Sequence, residues 1–267
     1  MSVVEVRDEG TVRVITLNRP DRRNATSPEL MTALNDALPM PNDAVRAVIV
    51  TGNGPSFSSG GDIKAKPLPI EPGSRRMREV FNPTMLRLAT LPLPIIAAVN
   101  GPALGAGLSL ALVADMRVAS RHAVFSSGFV DVGLATDTGA SFFLPRLIGY
   151  GRAFELLTTG RKVGPAEALD MGLVNRVVDP DHLMASSMEL AQLLAAKPGV
   201  AVPAVKELLG VAARNTVAEQ LEAEAAMYDR TATHPHRIAA KQAMVAKMSR
   251  TGAESAPASA PPSSSSS

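Results

Sequence analysis

Two glycine-rich segments, residues 57–62 and 100–107, are the part of this sequence best suited to bind an anion. Each follows an apolar, strand-like run, at 47–51 and at 94–99, and the second segment opens a predicted helix. Glycine allows a ligand to approach the main chain closely, and the first amides of a helix have no intrahelical partner and carry partial positive charge. The pair therefore predicts an oxyanion hole, in which backbone N–H groups stabilise a negatively charged oxygen.

Each segment taken alone has other interpretations. A glycine cluster after a strand can form only a tight turn, and it can also cradle a phosphate group. Neither segment contains the pattern G-x-G-x-x-G, and neither ends in the Lys-Ser/Thr of a P-loop. Nucleotide phosphate binding through those motifs is therefore disfavoured, and the pairing of the two segments is what favours the oxyanion hole.

A carboxylate that could transfer protons is Asp137, which stands in the segment 133–141. This segment leads into a predicted helix at 139–148. From these residues alone the prediction is a helix N-cap, in which the carboxylate accepts hydrogen bonds from first-turn amides. A catalytic base at this position is the alternative.

Other polar residues predict structural or surface roles. Asp115 and Arg117 predict an ion pair at a helix end, and His234 and His236 flank a proline with no third metal ligand nearby. No metal site is therefore expected. The sequence contains no cysteine, which excludes disulfides, thiolate catalysis and zinc–thiolate sites.

The composition disfavours several classes of partner. Of the 267 residues, 46% are hydrophobic but only 3% are aromatic, so little surface is available to stack nucleic-acid bases. The formal net charge of +2 implies no groove for a phosphate backbone. No secretory signal is visible, and the most apolar stretch, 91–114, is interrupted by prolines and polar residues. We therefore expect a cytoplasmic protein that binds neither nucleic acid nor a membrane.

Alternating short strands and helices position these segments in a predicted α/β fold. Residues 3–7 and 11–17 predict an antiparallel pair, and the later strands predict a mostly parallel sheet with right-handed crossovers. These strands are expected at 47–51, 94–99, 117–119, 123–126 and 174–178, and helices at 28–38, 75–89, 105–114, 139–148, 152–158 and 165–171. From about residue 182 onward helices dominate, and the Ala/Pro/Ser-rich stretch 251–267 is expected to be disordered.

Several motifs occur in an order and at spacings that resemble the crotonase superfamily, the enoyl-CoA hydratases and isomerases. They are Asn18-Arg19-Pro20 with Arg23-Asn24-Ala25, residues 57–62, residues 94–101, Ala114-Asp115-Met116-Arg117, and residues 168–174. The resemblance covers roughly residues 1–250. It implies a crotonase-like core of repeated ββα units at 1–198 and a helical trimerisation region at 199–250. It also implies a homotrimer or dimer of trimers that acts on acyl-CoA thioesters.

The resemblance implies roles for single residues as well. The oxyanion hole would consist of the N–H groups of Gly61 and Ala106, where Ala106 replaces a usual glycine. The two glutamates that activate water in the family's hydratases are replaced by Ser109 and Phe129. Ordinary hydration is therefore disfavoured, because neither side chain can perform a carboxylate's proton transfers. Asp137 matches the aspartate that the superfamily's ring-forming and double-bond isomerases use as base, which favours an acyl-CoA isomerase.

Alternatives to an isomerase remain open. A chain that has lost the paired glutamates can be a non-catalytic acyl-CoA-binding protein. The segment around Asp137 also resembles the 4-chlorobenzoyl-CoA dehalogenases, whose nucleophilic aspartate falls at this position. The histidine and tryptophan of that chemistry are replaced by Asn82 and Phe129, so dehalogenation is the weaker interpretation.

Substrate contacts are implied by the same resemblance. Along coenzyme A, Arg23 and Ala25 would lie along the pantetheine and phosphate, and Ser59, Gly61 and Asp62 would present their main chain to the adenine. An apolar pocket would raise the pKa of Asp137, whereas the helix N-terminus would lower it. The predicted substrate-binding residues are Arg23, Ala25, Ser59, Asp62, Ile63, Phe129, Leu134 and Phe142, the last three in that pocket.

Two of these residues have structural alternatives. Arg23 could be a solvated loop charge, and Asp62 could cap a helix that begins at Ile63. Coenzyme A would enter only as part of the substrate, and we expect no other cofactor.

Overall fold

The computed structural model describes residues 2–40, 44–62 and 73–254. By its internal contacts the chain divides into two compact units, Met1–Lys197 and Pro198–Ser267. The first unit contains every strand of the described residues, whereas the second is helical. Every candidate site residue lies in the first unit.

A six-stranded, mostly parallel sheet forms the centre of the first unit. In chain order the strands are β1 (Val4–Glu9), β2 (Val12–Leu17), β3 (Ala47–Gly52), β4 (Ile95–Val99), β5 (Ala103–Leu104), β6 (Met116–Ser120), β7 (Phe125–Ser126) and β8 (Arg176–Val178). The sheet has the order β1-β2-β3-β4-β6-β8, in which β1 and β2 are antiparallel and the other neighbours are parallel. β5 and β7 pair separately in a short parallel ladder. The predicted α/β class is confirmed.

Helices connect these strands. The first unit has α1 (Pro28–Ala37), α2 (Gly73–Arg76), α3 (Asn82–Thr90), α4 (Ala106–Leu112), α5 (Ala140–Ile148), α6 (Tyr150–Thr159), α7 (Pro165–Asp170) and α8 (Leu183–Ala195). A π-helical turn, Met77–Phe81, joins α2 to α3 within the helix predicted at 75–89. Among the described residues, no helix combines the length and the apolar character that a bilayer crossing requires.

Helical layers cover both faces of the sheet. β3 and β4 are buried almost throughout, as expected for parallel strands that lie between two layers. On one face, Leu183 and Leu190 of α8 pack against apolar side chains of β2, β3 and β4. The larger core contains Leu34 of α1 and Leu144 of α5, together with the opposite side chains of the same strands. This core supports the loops that follow β3 and β4.

The second unit contains α9 (Ala201–Ala212), α10 (Val217–Ala232) and α11 (Pro235–Glu254). α10 begins with a capping box, in which the Glu219 N–H donates to Thr216 Oγ1 and the Thr216 N–H donates to the Glu219 carboxylate. α11 ends at Glu254, inside the stretch 251–267 for which disorder is expected, and that expectation stays a prediction. The rest of that predicted tail, 255–267, lies outside the described residues.

Candidate active site

The two predicted anion-binding loops lie side by side. A parallel bridge joins Ser58 to Ala103, and the Leu104 N–H donates to the Ser58 carbonyl oxygen at 2.9 Å. The Ser58 N–H in turn donates to the Pro102 carbonyl oxygen at 3.1 Å. Gly61 and Ala106 each stand a few residues beyond this bridge, so the pairing of main chains brings the two glycine-rich segments together.

Two glycines allow the loops to approach so closely. Gly60 has φ +82°, and a Cβ atom there would lie 2.5 Å from the Leu104 carbonyl oxygen and 3.3 Å from the Ala106 nitrogen. A Cβ atom at Gly107 would lie 2.4 Å from the Ser58 carbonyl oxygen. Both distances to carbonyl oxygen are too short for any side chain, so glycine is required where the loop after β3 meets α4.

The amides of Gly61 and Ala106 are available to a ligand. Within the described residues, neither N–H donates a recorded hydrogen bond. Ala106 is the first residue of α4 and has no positive φ, so the alanine provides its amide as a glycine would. Gly61 is exposed, and no atom lies within 4 Å of the position that a Cβ atom would occupy there. Donation by both amides to one anionic oxygen stays a prediction.

A buried arginine fixes the opposite end of α4. Arg117 is 3% exposed, and its guanidinium donates to the carbonyl oxygens of Ala114 at 2.7 Å and Leu173 at 2.7 Å. It also donates, at 3.4 Å, to the last carbonyls of α4. Burial lowers the pKa of Arg117 to about 10, and the negative charge of Asp115 opposes that shift. The structure thus shows carbonyl capping by Arg117, and a direct Asp115–Arg117 ion pair stays a prediction.

Asp137 does not cap α5, so the prediction of a helix N-cap from local sequence is wrong. The N-cap position is occupied by Gly139, with φ +88°, and the helix start has no side-chain cap. Only the main-chain oxygen of Asp137 takes part, accepting from the Ala140 N–H at 3.2 Å. Oδ1 of Asp137 is buried and has no hydrogen-bond partner within the described residues. No hydrogen bond to Oδ1 within the described residues therefore accounts for the position of this side chain.

The surroundings of Asp137 favour its protonated form. Burial raises the pKa of the Asp137 carboxyl group, whereas the Thr138 hydroxyl and, more weakly, the positive charge of Arg76 lower it without cancelling the rise. Desolvation, one of the two influences expected from the sequence, is therefore the largest contribution, and the groups that lower the pKa are Thr138 and Arg76.

The residues that the resemblance places at the two glutamate positions, Ser109 and Phe129, are both buried. Ser109 on α4 is fully buried, and its hydroxyl donates to the main-chain oxygen of Asp137 at 3.4 Å. Phe129 is 9% exposed, and its ring lies 3.9 Å from the position of a Cβ atom built on Gly105. Ser109 and Phe129 thus link the start of α4 to the Asp137 loop without adding a second carboxylate.

The predicted apolar pocket is only partly present. Leu134 is 58% exposed and Phe142 is 49% exposed, so within the described residues these two side chains do not form a closed apolar lining with the buried Phe129. The reason is the orientation of α5, whose buried face carries Ala140, Leu144 and Ile148. Phe142 lies on the outer face, where the Arg146 guanidinium stacks 3.6 Å from its ring centroid. Contact of Leu134 and Phe142 with a substrate stays a prediction.

The residues predicted to hold coenzyme A adjoin the first loop. Arg23 is exposed and Ala25 is buried, while the Ser59 N–H donates to the Arg23 carbonyl oxygen at 2.9 Å. Asp62 accepts a hydrogen bond from Arg19 at 3.1 Å, in an ion pair whose side chains are largely buried. Ile63, and with it the helix that Asp62 would cap, lies outside the described residues.

Sequence reasoning missed the roles of Arg19 and Asn24 in shaping this loop. Arg19 also donates to the Ala25 carbonyl oxygen at 2.7 Å. The fully buried Asn24 accepts from the Arg19 N–H and donates to the carbonyl oxygens of Asn53 and Ser56. A useful signal was the residue type, because asparagine tolerates the left-handed φ of +54° that it has here.

The histidine pair lies in the second unit. The rings of His234 and His236 are 4.8 Å apart, and the His236 N–H donates to His234 Nδ1 at 3.2 Å. In the described ranges, no group of three His, Cys, Asp or Glu side chains is arranged to hold a metal ion.

Known proteins resemble this chain over most of its length. Residues 7–250 match the protein family described as Enoyl-CoA hydratase/isomerase. The Mycobacterium bovis protein named "Probable enoyl-CoA hydratase echA12" is 43% identical over 198 residues, which cover 70% of each chain. The 1,2-epoxyphenylacetyl-CoA isomerase of Escherichia coli K12 is 35% identical over 222 residues, 81% of this chain and 85% of that protein.

Two further proteins extend the comparison. The 4-chlorobenzoyl coenzyme A dehalogenase-2 of Arthrobacter sp. is 33% identical over 241 residues, 87% of each chain. The crystal structure of an enoyl-CoA hydratase from Bacillus anthracis has a TM-score of 0.88 at 32% identity and covers 92% of this chain and 96% of that one.

The sheet topology and the paired loops, taken with these likenesses, define a crotonase fold. The chain belongs to the enoyl-CoA hydratase/isomerase family of the crotonase superfamily and is an acyl-CoA-acting enzyme.

Proposed function

We propose that this protein is an acyl-CoA isomerase that moves a double bond from the 3-enoyl to the 2-enoyl position, or rearranges a ring, through an enolate. The observation that carries the proposal is the state of Asp137. Its carboxylate is partly buried beside the start of α4, does not cap α5, and has a raised pKa. A carboxylate with a buried, unpartnered oxygen and a raised pKa in a family of acyl-CoA enzymes is a candidate general base.

The proposed reaction uses one base for both proton transfers. Asp137 removes a proton from C2 of a 3-enoyl thioester, and the electron pair of that C–H bond delocalises to give a dienolate with negative charge on the thioester oxygen. The N–H groups of Gly61 and Ala106 stabilise this oxygen, and each such donor typically contributes ~3 kcal/mol or more to lowering the barrier. Asp137 then returns the proton at C4, which leaves the double bond between C2 and C3.

The raised pKa of Asp137 suits this role. A general base is most effective when its pKa lies near the working pH, and an ordinary aspartate is too weak a base to remove a C2 proton readily. Burial shifts the pKa of Asp137 in the required direction. The residual influence of the Thr138 hydroxyl and Arg76 favours the ionised form, which is the form that accepts the proton.

Ordinary hydration of a 2-enoyl thioester has less support. That reaction requires groups that position a water molecule and move its proton, but Ser109 and Phe129 carry no carboxylate. The similarity to a 1,2-epoxyphenylacetyl-CoA isomerase extends the candidate substrates to acyl groups with a strained ring. Binding of coenzyme A by Arg23, Ala25, Ser59, Asp62 and Ile63, a trimeric or hexameric assembly and a cytoplasmic location stay predictions.

A 4-chlorobenzoyl-CoA dehalogenase is a second candidate, favoured by the similarity to the Arthrobacter enzyme over 241 residues. In that reaction Asp137 would be the nucleophile. Dehalogenases use a histidine to activate water for hydrolysis of the aryl–enzyme ester, and the resemblance places Asn82 at that position. Because asparagine cannot act as this base, dehalogenation is the weaker candidate. A non-catalytic acyl-CoA-binding protein is the third possibility.

The decisive experiment compares wild type with Asp137→Asn. The control is Asp131→Asn, which changes an exposed carboxylate in the segment before Asp137. Each protein is assayed for conversion of 3-enoyl-CoA to 2-enoyl-CoA and titrated with an unreactive acyl-CoA. We expect D137N to lower kcat by about 10²- to 10⁴-fold with little change in acyl-CoA affinity, and D131N to retain kcat. Normal turnover by D137N would show that another group is the base. Tight acyl-CoA binding without any turnover by the wild type would favour the binding protein.

A further inference from the structure

Thr138, next to the proposed base, has a backbone conformation that its residue type rarely adopts. Its φ is +50°, in the left-handed region where a β-branched side chain is strained. The other described non-glycine residues with positive φ are Arg23 and Asn24, neither of which is β-branched. Thr138 is also 5% exposed, so solvent contact does not compensate for the strain. Strain of this kind persists where surrounding structure enforces it, and it is concentrated at functional sites.

The side chain of Thr138 carries a second unfavourable feature. Its hydroxyl is buried without a hydrogen-bond partner among the described residues, and Oδ1 of the adjacent Asp137 is in the same condition. A buried donor without an acceptor is destabilising, and so is a buried acceptor without a donor. A hydroxyl donor and a carboxylate acceptor therefore stand on neighbouring residues, each without another partner.

Glycine at position 138 would relieve the backbone strain, so the presence of threonine there indicates that its side chain has a role. The following residue is Gly139 with φ +88°, where a Cβ atom would lie 2.8 Å from the ring of Phe143. Position 139 therefore requires glycine for both conformation and space. At position 138 the chain keeps a side chain despite a φ that glycine adopts more readily, so the side chain itself has a role.

We propose that Thr138 is a positioning residue for the base, whose left-handed backbone turns its hydroxyl toward the Asp137 carboxylate so that the hydroxyl donates a hydrogen bond to it when substrate is bound. This inference rests on the proposed role of Asp137 as the base. The hydrogen bond holds one carboxylate oxygen and leaves the other directed at the acyl group. It also stabilises the ionised form of the carboxylate, which agrees with the direction in which the Thr138 hydroxyl moves the pKa of Asp137.

Three substitutions separate the hydroxyl from the backbone conformation. Thr138→Ser keeps the hydroxyl, Thr138→Val keeps the branched shape without a donor, and Thr138→Gly removes both and relieves the positive φ. Thr136→Val is the matched control, because Thr136 also carries a buried hydroxyl without a described partner but does not contribute to the pKa shift of Asp137. Each variant is made in the full chain.

Activity with 3-enoyl-CoA gives the first measurement. We expect T138V and T138G to lower kcat by about 10- to 100-fold with KM changed less than about threefold, because the base is misdirected while coenzyme A is still bound. T138S should retain kcat within about threefold. The acid limb of the kcat–pH profile should move to higher pH in T138V and T138G but not in T138S or T136V. T138G should also melt at a higher temperature than wild type.

The second measurement does not depend on turnover. The Asp137 carboxyl group is titrated by NMR in the complex with an unreactive acyl-CoA, in protein labelled with ¹³C at aspartate carboxyls, and the signal is assigned by its loss in D137N. The pKa of Asp137 should rise in T138V and T138G and stay unchanged in T138S and T136V. If T138V leaves this pKa unchanged, or if T136V raises it equally, the proposal is overturned. An inactive wild type with the expected NMR shifts would instead refute the isomerase function alone and retain the Thr138–Asp137 contact.

Discussion

Replacing Gly60 by alanine tests whether the close approach of the two loops is needed for activity. The new Cβ atom would lie 2.5 Å from the Leu104 carbonyl oxygen and 3.3 Å from the Ala106 nitrogen, and the residue would keep φ near +82°. The positive φ costs an alanine about 1–2 kcal/mol. Moving the main chain to remove the overlap costs about 1–3 kcal/mol more. The total of about 2–5 kcal/mol predicts a fall in Tm of about 4–20 °C.

We expect the kcat of G60A to fall even at temperatures where the variant is fully folded. Separation of the loops displaces the Ala106 amide relative to the Gly61 amide, and loss of one such donor lowers kcat by about 10²- to 10³-fold. The assay is 3-enoyl-CoA isomerisation at a temperature where circular dichroism shows the variant to be folded. Binding of an unreactive acyl-CoA is measured in parallel, because we expect affinity to change far less than kcat.

Gly10→Ala is the matched control for this prediction. Gly10 has φ +61°, and a Cβ atom there would meet nothing within 4 Å. The free energy of unfolding of G10A should therefore fall only by the cost of the positive φ, about 1–2 kcal/mol, and the variant should keep its activity. If G60A and G10A show the same decrease in the free energy of unfolding and both keep kcat, the close approach of the two loops at Gly60 does not control the anion site.

Two further predictions concern buried charges. Because burial raises the native pKa of Asp137, the stability linked to this group is fully present below its unfolded pKa of about 3.9 and is lost as pH rises through the native value. D137N should therefore be more stable than wild type in thermal melts at pH 8 but not at pH 3.5, and a constant difference across pH would contradict the assigned burial. Arg117→Met leaves the carbonyls of Ala114 and Leu173 without their donor and should reduce the free energy of unfolding by about 3–5 kcal/mol in urea denaturation. A loss under about 1 kcal/mol would mean that water replaces the guanidinium.

The fold was predictable because its signals are local and repeated. Apolar runs 47–51 and 94–99 correspond to the buried strands β3 and β4, and the glycines that follow them mark close approaches of main chain. The end of α11 was harder to predict, because Thr251-Gly252-Ala253-Glu254 adjoins the Pro/Ser-rich stretch that follows it. Once a helix has formed, adding residues to its end is far less costly than starting a new one, so α11 can extend beyond its apolar residues.

The candidate site was predictable in its residues but less so in its geometry. Local rules place Asp137 at a helix N-cap, yet Gly139 occupies that position, and no pattern of residue types indicates a positive φ at a threonine. The pairing of Arg19 with Asp62 joins residues far apart in sequence, so only the folded chain reveals it. The exposed position of Phe142 depends on which face of α5 is buried, and the two adjacent phenylalanines leave that choice open from sequence.

The bridge between Ser58 and Ala103 fixes the main-chain geometry of the two loops, and evolution could change the side chains at 109, 129 and 137 independently of that geometry. Main-chain pairing holds the segments of Gly61 and Ala106 side by side, and the glycines that permit contact and the side chains of Arg19 and Asn24 support that arrangement. Side chains at 109, 129 and 137 are not part of this pairing, so they can be exchanged without rebuilding the proposed receptor for the carbonyl oxygen. A scaffold organised in this way can acquire a new reaction by one or two substitutions, and a designed change of chemistry in this chain would begin at those three positions.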